Sequence, residues 1–399
     1  METSNNITVN EEIFIENNEP EESEVGQNTP SKDIISQAVV SATDWTTETI
    51  LNQINKGNIQ LNPIFQRRDA WEQIRKSGFI ESLFLGLPVP QIVLAESKTR
   101  KGSYIVIDGK QRLLSIRQFA ALENDNDFKQ LKLKGLAICL NLNRKSYTDL
   151  KDDSDFFDDV SAFENQTIRT VVIKNWRDEN FLYEVFLRLN TGSVPLSPQE
   201  LRQALLPGPF TEFIDIASGE SPSLRELLKI SKPDFRMRDA ELLLRFFAFK
   251  KSITNYRGNL KVFLDDTCKF YNSNWHEKEE EVQSILINFE LAYKTSVEIF
   301  GVKNVFRKWT RSAYEKPFNR AIFDIIMFHF SNEDIRKQAL KMKEQIEEGF
   351  KNLCTTNQNF QESIERTTKS IGSTSLRLNL WTQKLNTILG TQIPLPFEV

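Results

Sequence analysis

Histidine is nearly missing from this 399-residue chain, which holds only His276 and His329. Serine- or cysteine-hydrolase chemistry needs a histidine base beside its nucleophile, and neither residue has a plausible nucleophile partner. His276 opens a helix-like stretch, Asn274-Trp275-His276-Glu277, and His329 lies in the apolar run Ile325–Phe330, so both read as structural. The three cysteines, Cys139, Cys268 and Cys354, are far apart and match no metal-ligand spacing. That pattern leads us to expect a reduced, cytoplasmic protein. No apolar run approaches the roughly 18 residues of a membrane span. The N-terminus lacks the basic stretch and apolar segment of a secretory signal.

What is present starts with uneven charge. Residues 1–31 hold eight glutamates and no lysine or arginine, whereas the whole chain is −4, leaving +4 on residues 32–399. Residues 1–43 therefore read as an acidic disordered tail, either solubilising or a mimic of nucleic acid. The body is mildly basic, which polyanion binding would allow without requiring it.

Hydrophobic periodicity divides that body. Ile50, Leu51 and Ile54 make a short helix ending at Gly57. Trp71, Ile74, Ile80, Leu83, Phe84 and Leu87 predict a helix over 71–86, and Pro88 and Pro90 stop it. Strands follow at Gln91–Glu96 and Ser103–Ile107, then a helix over 110–122. Strands are expected within Leu131–Leu142, an acidic loop from Asp149 to Asp159, and a strand at Ile168–Lys174. Phe181 to Leu189 repeat at helical spacing. Ser197-Pro198-Gln199-Glu200 is a capping box with proline at the first helical position, repeated more weakly at Ser331 and Asp334. Beyond 206 nearly every segment reads helical, with a possible division at 250–258. The fold class is α+β: a mixed domain over 44–205 and a mainly helical region over 206–399.

The stretch Ile105–Leu114 carries the most chemistry. A strand reaches Asp108, Gly109 permits a tight turn, and a helix opens at once, presenting free N–H groups and a positive dipole end. Arg112 could grip a phosphate in bidentate fashion, Lys110 adds a cation, and Asp108 could meet Mg²⁺. The alternative is purely local: Asp108 caps the helix and Gln111 reaches back to complete a capping box. Gln66-Arg67-Arg68-Asp69-Ala70-Trp71 is either a phosphate-binding segment or a solvated helix entry. Arg188-Leu189-Asn190-Thr191-Gly192 is either a second contact or an ordinary helix end.

The order of these segments, "LNPIFQRRDAWE", "YIVIDGKQRLLSI", "VFLRLNTGSVPLSPQELRQAL" and "RDAELLLRFFAF", closely resembles the GmrSD N-terminal domain family over about residues 45–250. The resemblance implies a prokaryotic protein with a ParB/sulfiredoxin-like fold that binds and often hydrolyses a nucleoside triphosphate in restriction of modified DNA or phage defence. The family's DGQQR signature falls on Asp108, Gly109, Lys110, Gln111 and Arg112. Its QR pair falls on Gln66 and Arg67, and its NTG turn on Asn190, Thr191 and Gly192. Lys110 replaces the usual glutamine, and Arg68 stands where proline is common. Restriction members often add an HNH nuclease module, for which the two histidines here are inadequate.

The resemblance assigns Arg67, Lys110 and Arg112 to phosphates, Asp108 to metal or water, and Gln111 or Gln66 to orienting a nucleophile. Asn190, Thr191 and Gly192 would close the pocket. DNA and a partner nuclease are the implied macromolecular partners. A ParB-like clamp without turnover, or a nuclease using the same residues, remains the alternative.

Overall fold

The computed structural model describes residues 38–61, 68–98, 100–177, 181, 182, 184, 185, 188, 197–366 and 368–397. These separate into two compact units, one ending at Leu205 and the other starting at Leu206. The fold is mixed α+β, with one four-stranded sheet and sixteen α-helices among the described residues. No described helix is long and apolar enough to cross a membrane.

The first unit runs β1 (Val39–Thr46), α1 (Thr47–Asn55), α2 (Gln73–Phe84), β2 (Ile92–Glu96), β3 (Tyr104–Asp108) and α3 (Lys110–Phe119). It continues through α4 (Tyr147–Lys151), α5 (Phe157–Asn165), β4 (Thr167–Lys174) and α6 (Pro198–Leu205). The sheet order is β1-β4-β2-β3, with β2 and β4 parallel and the outer pairings antiparallel. Side chains alternate across it, as a two-residue period demands. Ile92, Leu94, Val106 and Ile168 face one core with α1, α2, α3 and α5. Val93, Ala95, Ile105, Ile107 and Ile173 face the other with Trp176, Phe181, Leu182 and Leu201. Strands β2 and β3 are thus buried on both faces, whereas β1 is largely exposed.

Several local expectations change. Residues 39–43, placed in the acidic tail, are strand, paired with residues 170–174 of β4. Residues 1–37 lie outside the described set, as do residues 183, 186, 187 and 189 of the expected helix at 181–189, whose described residues are helical. The helix expected at 71–86 spans only Gln73–Phe84, and Ile74 and Leu87 are exposed.

No strand forms between Leu131 and Leu142. Leu131, Leu133 and Leu136 are buried as their alternation required. However, the backbone there is satisfied by α2: Ser77 Oγ accepts from Lys134 N–H, and Glu81 accepts from Ala137, Ile138 and Cys139 N–H at 2.7–3.1 Å. The acidic 149–159 segment is helical, not a loop. Asp149 completes a capping box with Ser146, and Asp158 and Asp159 occupy the first turn of α5, where the dipole favours them.

The second unit comprises α7 (Pro209–Glu220), α8 (Pro222–Leu228), α9 (Arg238–Ser252), α10 (Leu260–Ser273), α11 (Trp275–Phe300) and α12 (Arg320–Phe330). It closes with α13 (Glu333–Ala339), α14 (Lys343–Thr356), α15 (Gln358–Glu365) and α16 (Ile371–Leu389). One continuous apolar core runs through it from Phe210 to Leu385. The 250–258 stretch does not divide that core, because Phe249, Tyr256 and Phe263 stack together across it at 5.2–5.7 Å. The weak cap expected at Ser331 is supplied by Asn332, whose side chain accepts from Asp334 and Ile335 N–H. His329 is buried, bonded to Ile325 O and Thr382 Oγ1, and His276 is exposed at the start of α11.

Candidate functional site

The turn between β3 and α3 begins where Asp108 pairs with Val93 at the end of its strand. Gly109 follows with φ +98, a conformation that costs a side-chain-bearing residue heavily. A Cβ there would also lie 3.1 Å from Ile92 Cγ1 and 3.3 Å from Arg112 Nη2, so glycine is demanded by both backbone and space. Gly109 caps α3 without any side-chain hydrogen bond to the first turn. The capping-box alternative is therefore not what forms. Asp108 instead accepts from Gly109 N–H at 2.7 Å and from Arg112 Nη2 at 2.9 Å.

Each polar residue of the turn has a definite engagement. Arg112 is buried and donates to Asp108 and to Gln91 O, both at 2.9 Å. Its Nε is also buried and has no acceptor among the described residues. Lys110 is buried and ion-paired with Glu200 at 3.1 Å. Glu200 is the same carboxylate that accepts Ser197 N–H at 2.8 Å, while Ser197 Oγ accepts Glu200 N–H at 3.1 Å. The capping box at the start of α6 is real, and it also neutralises Lys110.

Gln111 points to the segment before α2. With its amide oriented to satisfy both ends, it donates to Asp69 Oδ1 at 2.8 Å and accepts from Ala70 N–H at 3.3 Å. Asp69 also accepts from Trp71 N–H at 3.3 Å, from Gln118 Nε2 at 3.3 Å, and from Lys76 in a short ion pair. Lys76 Nζ donates in turn to Gln118 Oε1 at 2.7 Å. Sequence reasoning missed Asp69 as a hub, together with Lys76, Gln118 and Glu200. One signal was available: Gln111 and Gln118 are seven residues apart, hence on one face of α3. Gln66, Arg67, Asn190, Thr191 and Gly192 lie outside the described residues.

The described residues gather no group of three histidine, cysteine or acidic side chains able to hold a metal ion. Asp108 offers a single carboxylate with Arg112 already on one flank. That donor set does not fit a resident metal.

Fold and turn together define a mixed α+β domain whose strand–glycine–helix junction presents an uncapped helix start beside a buried arginine. Residues 47–207 match the family described as GmrSD restriction endonuclease, N-terminal domain. The match suggests a protein associated with restriction or defence. The match ends before the RDAELLLRFFAF segment at 238–249. No curated protein and no solved structure matches the chain.

Proposed function

We propose that the first unit binds a nucleoside triphosphate at the Gly109 turn and hydrolyses it, as the regulatory element of a prokaryotic, DNA-directed defence system in the cytoplasm. One observation carries this reading. The start of α3 has no side-chain cap, and beside it Arg112 Nε is buried with no acceptor among the described residues. A buried donor left unmade costs about 1–3 kcal/mol, so the site favours an anionic acceptor. The positive end of the helix dipole favours phosphate in the same direction.

In this reading phosphate oxygens meet the first N–H groups of α3 and the Arg112 guanidinium. Magnesium arrives with the nucleotide as part of the substrate, and Asp108 supplies one carboxylate toward it. Gln66, Arg67, Asn190, Thr191 and Gly192 keep the roles that the family resemblance assigns. DNA and a separate nuclease are the proposed partners.

The test is the full-length protein with ATP, GTP, CTP and UTP plus Mg²⁺, with and without DNA, followed by calorimetry and phosphate release. Asp108→Asn and Arg112→Lys should each cut turnover by at least about 10-fold, the scale of one charge-assisted contact. Binding of no nucleotide, or unchanged turnover in both variants, sinks the proposal. Tight binding without release would select the non-hydrolysing clamp. Plasmid cleavage without nucleotide would select the nuclease.

A further inference from the structure

Two adjacent side chains in the first turn of α3 point to two different carboxylates. Lys110 pairs with Glu200, and Gln111 bonds Asp69. Neither carboxylate belongs to the turn. Asp69 follows the Gln66-Arg67 pair by two residues, and Glu200 opens the helix that comes after the Asn190-Thr191-Gly192 turn. We infer that Asp69 and Glu200 are positioning residues, which tie the segments downstream of the two outlying motifs onto the first turn of α3 through Gln111 and Lys110.

Three observations support this assignment. First, Asp69 accepts hydrogen bonds from three segments at once: Trp71 N–H from its own, Lys76 from α2, and Gln111 and Gln118 from α3. A half-buried carboxylate with donors from three segments holds its neighbours in one arrangement, because moving any of them costs it a hydrogen bond that solvent only partly replaces. Second, Glu200 uses one oxygen on Lys110 and the other on Ser197 N–H, so helix α6 cannot start elsewhere without breaking the pair. Third, Lys110 and Glu200 are both more than nine-tenths buried, where an ion pair is well shielded from solvent. A lysine in such a pair acts on a ligand indirectly, by holding the chain. A glutamine at position 110, the residue the family resemblance leads one to expect, could donate to the same carboxylate.

The inference rests on the nucleotide reading for its binding arm only. In full-length protein, Lys110→Glu and Glu200→Lys should each lower the melting temperature. Each should also weaken Mg²⁺–nucleotide binding by at least about 10-fold. The double variant Lys110→Glu with Glu200→Lys should regain a clear part of both losses relative to the single variants, the remainder being the Ser197 N–H bond that Glu200→Lys removes. A double variant that regains its melting temperature but stays weak in binding overturns the inference, because Lys110 would then contact the ligand itself. A double variant that regains neither overturns the pairing.

The second arm needs no ligand. Asp69→Asn should speed amide hydrogen exchange across residues 69–72 by about 10-fold or more while leaving α9 unchanged. Unaltered exchange there overturns the role of Asp69. Should wild-type protein bind none of the four nucleotides, the proposed function falls, and the exchange and melting results still decide the positioning roles.

Discussion

The two units bury charge in different ways. In the first, buried or half-buried ions fix irregular segments and helix starts: Asp69 binds α2 and α3, Glu200 in the first turn of α6 holds Lys110 at the start of α3, and Glu81 holds the irregular 137–139 backbone. In the second, the buried pair Arg245–Asp324 joins helix to helix, α9 to α12, inside one continuous aromatic-rich core. Apolar packing can hold helices together because their backbones are already satisfied internally. Irregular segments carry unpaired N–H and C=O groups, so they need polar side chains to fix them. The difference is one of degree: in the second unit polar anchoring supplements a continuous apolar core, as where buried Asp234 accepts from Arg236 and Arg238 N–H and buried Arg377 donates to Thr368 O.

The largest effect that would break this contrast is loss of core volume in the second unit. Phe247 is fully buried and packs edge-on against Phe210 and Tyr271. Phe247→Ala should cost about 3–5 kcal/mol in urea unfolding. A cost below about 1 kcal/mol would mean that the core is not the main support there. Breaking the ion pair in the same unit should rank next. Arg245→Met leaves Asp324 in the core without its bidentate partner and should cost about 3–5 kcal/mol, with much of it recovered in Arg245→Met combined with Asp324→Leu. An additive double variant would contradict the coupling.

Acid should separate the two units. Burial drives the His329 pKa down from the ordinary 6.5 to about 4, outweighing its bond to Ile325 O. The neutral ring therefore contributes in full above about pH 6.5, and that contribution fades as pH falls toward 4. The total loss should be up to about 3 kcal/mol. His329→Gln should flatten that slope in denaturation midpoints measured between pH 7 and 4.

Glu81, in the first unit, behaves in the same sense but over a lower pH range. Burial raises its pKa, but the N–H bonds from Ile138, Cys139 and Ala137 prevail and hold it below the ordinary 4.5. Its contribution is thus intact above pH 4.5 and lost only at lower pH, through the depressed value. Glu81→Gln should cost about 1–3 kcal/mol at pH 7, the smallest of these effects. A stability profile of the first unit that declined between pH 6.5 and 4.5 would contradict this ordering.

Much of the first unit could be read from local pattern. The β2 and β3 strands, the glycine turn, α3 and the Ser197–Glu200 capping box all depend on neighbours within a few residues, and each forms where the pattern indicates. The failures have a common origin. Alternating leucines at 131–136 suggested a strand, but a strand needs a partner edge, and α2 offered side-chain acceptors and donors instead. The acidic 149–159 run suggested solvent, although the same carboxylates cap helices. Residues 39–43 looked like tail because strand β1 gains its stability from β4, more than 120 residues away.

The candidate site divides along the same line. Its chain path was legible in the sequence, since a β-rich run, a glycine free to adopt φ +98 and a helical period follow one another there. What each side chain does was decided by tertiary structure. Lys110 and Gln111 could equally have faced a ligand, and nothing within ten residues announces Glu200 or Asp69 as their partners. Propensity and steric limits act between neighbours and can be read in one dimension. The pairing of buried charges depends on which distant segment packs alongside, and only the folded chain specifies that.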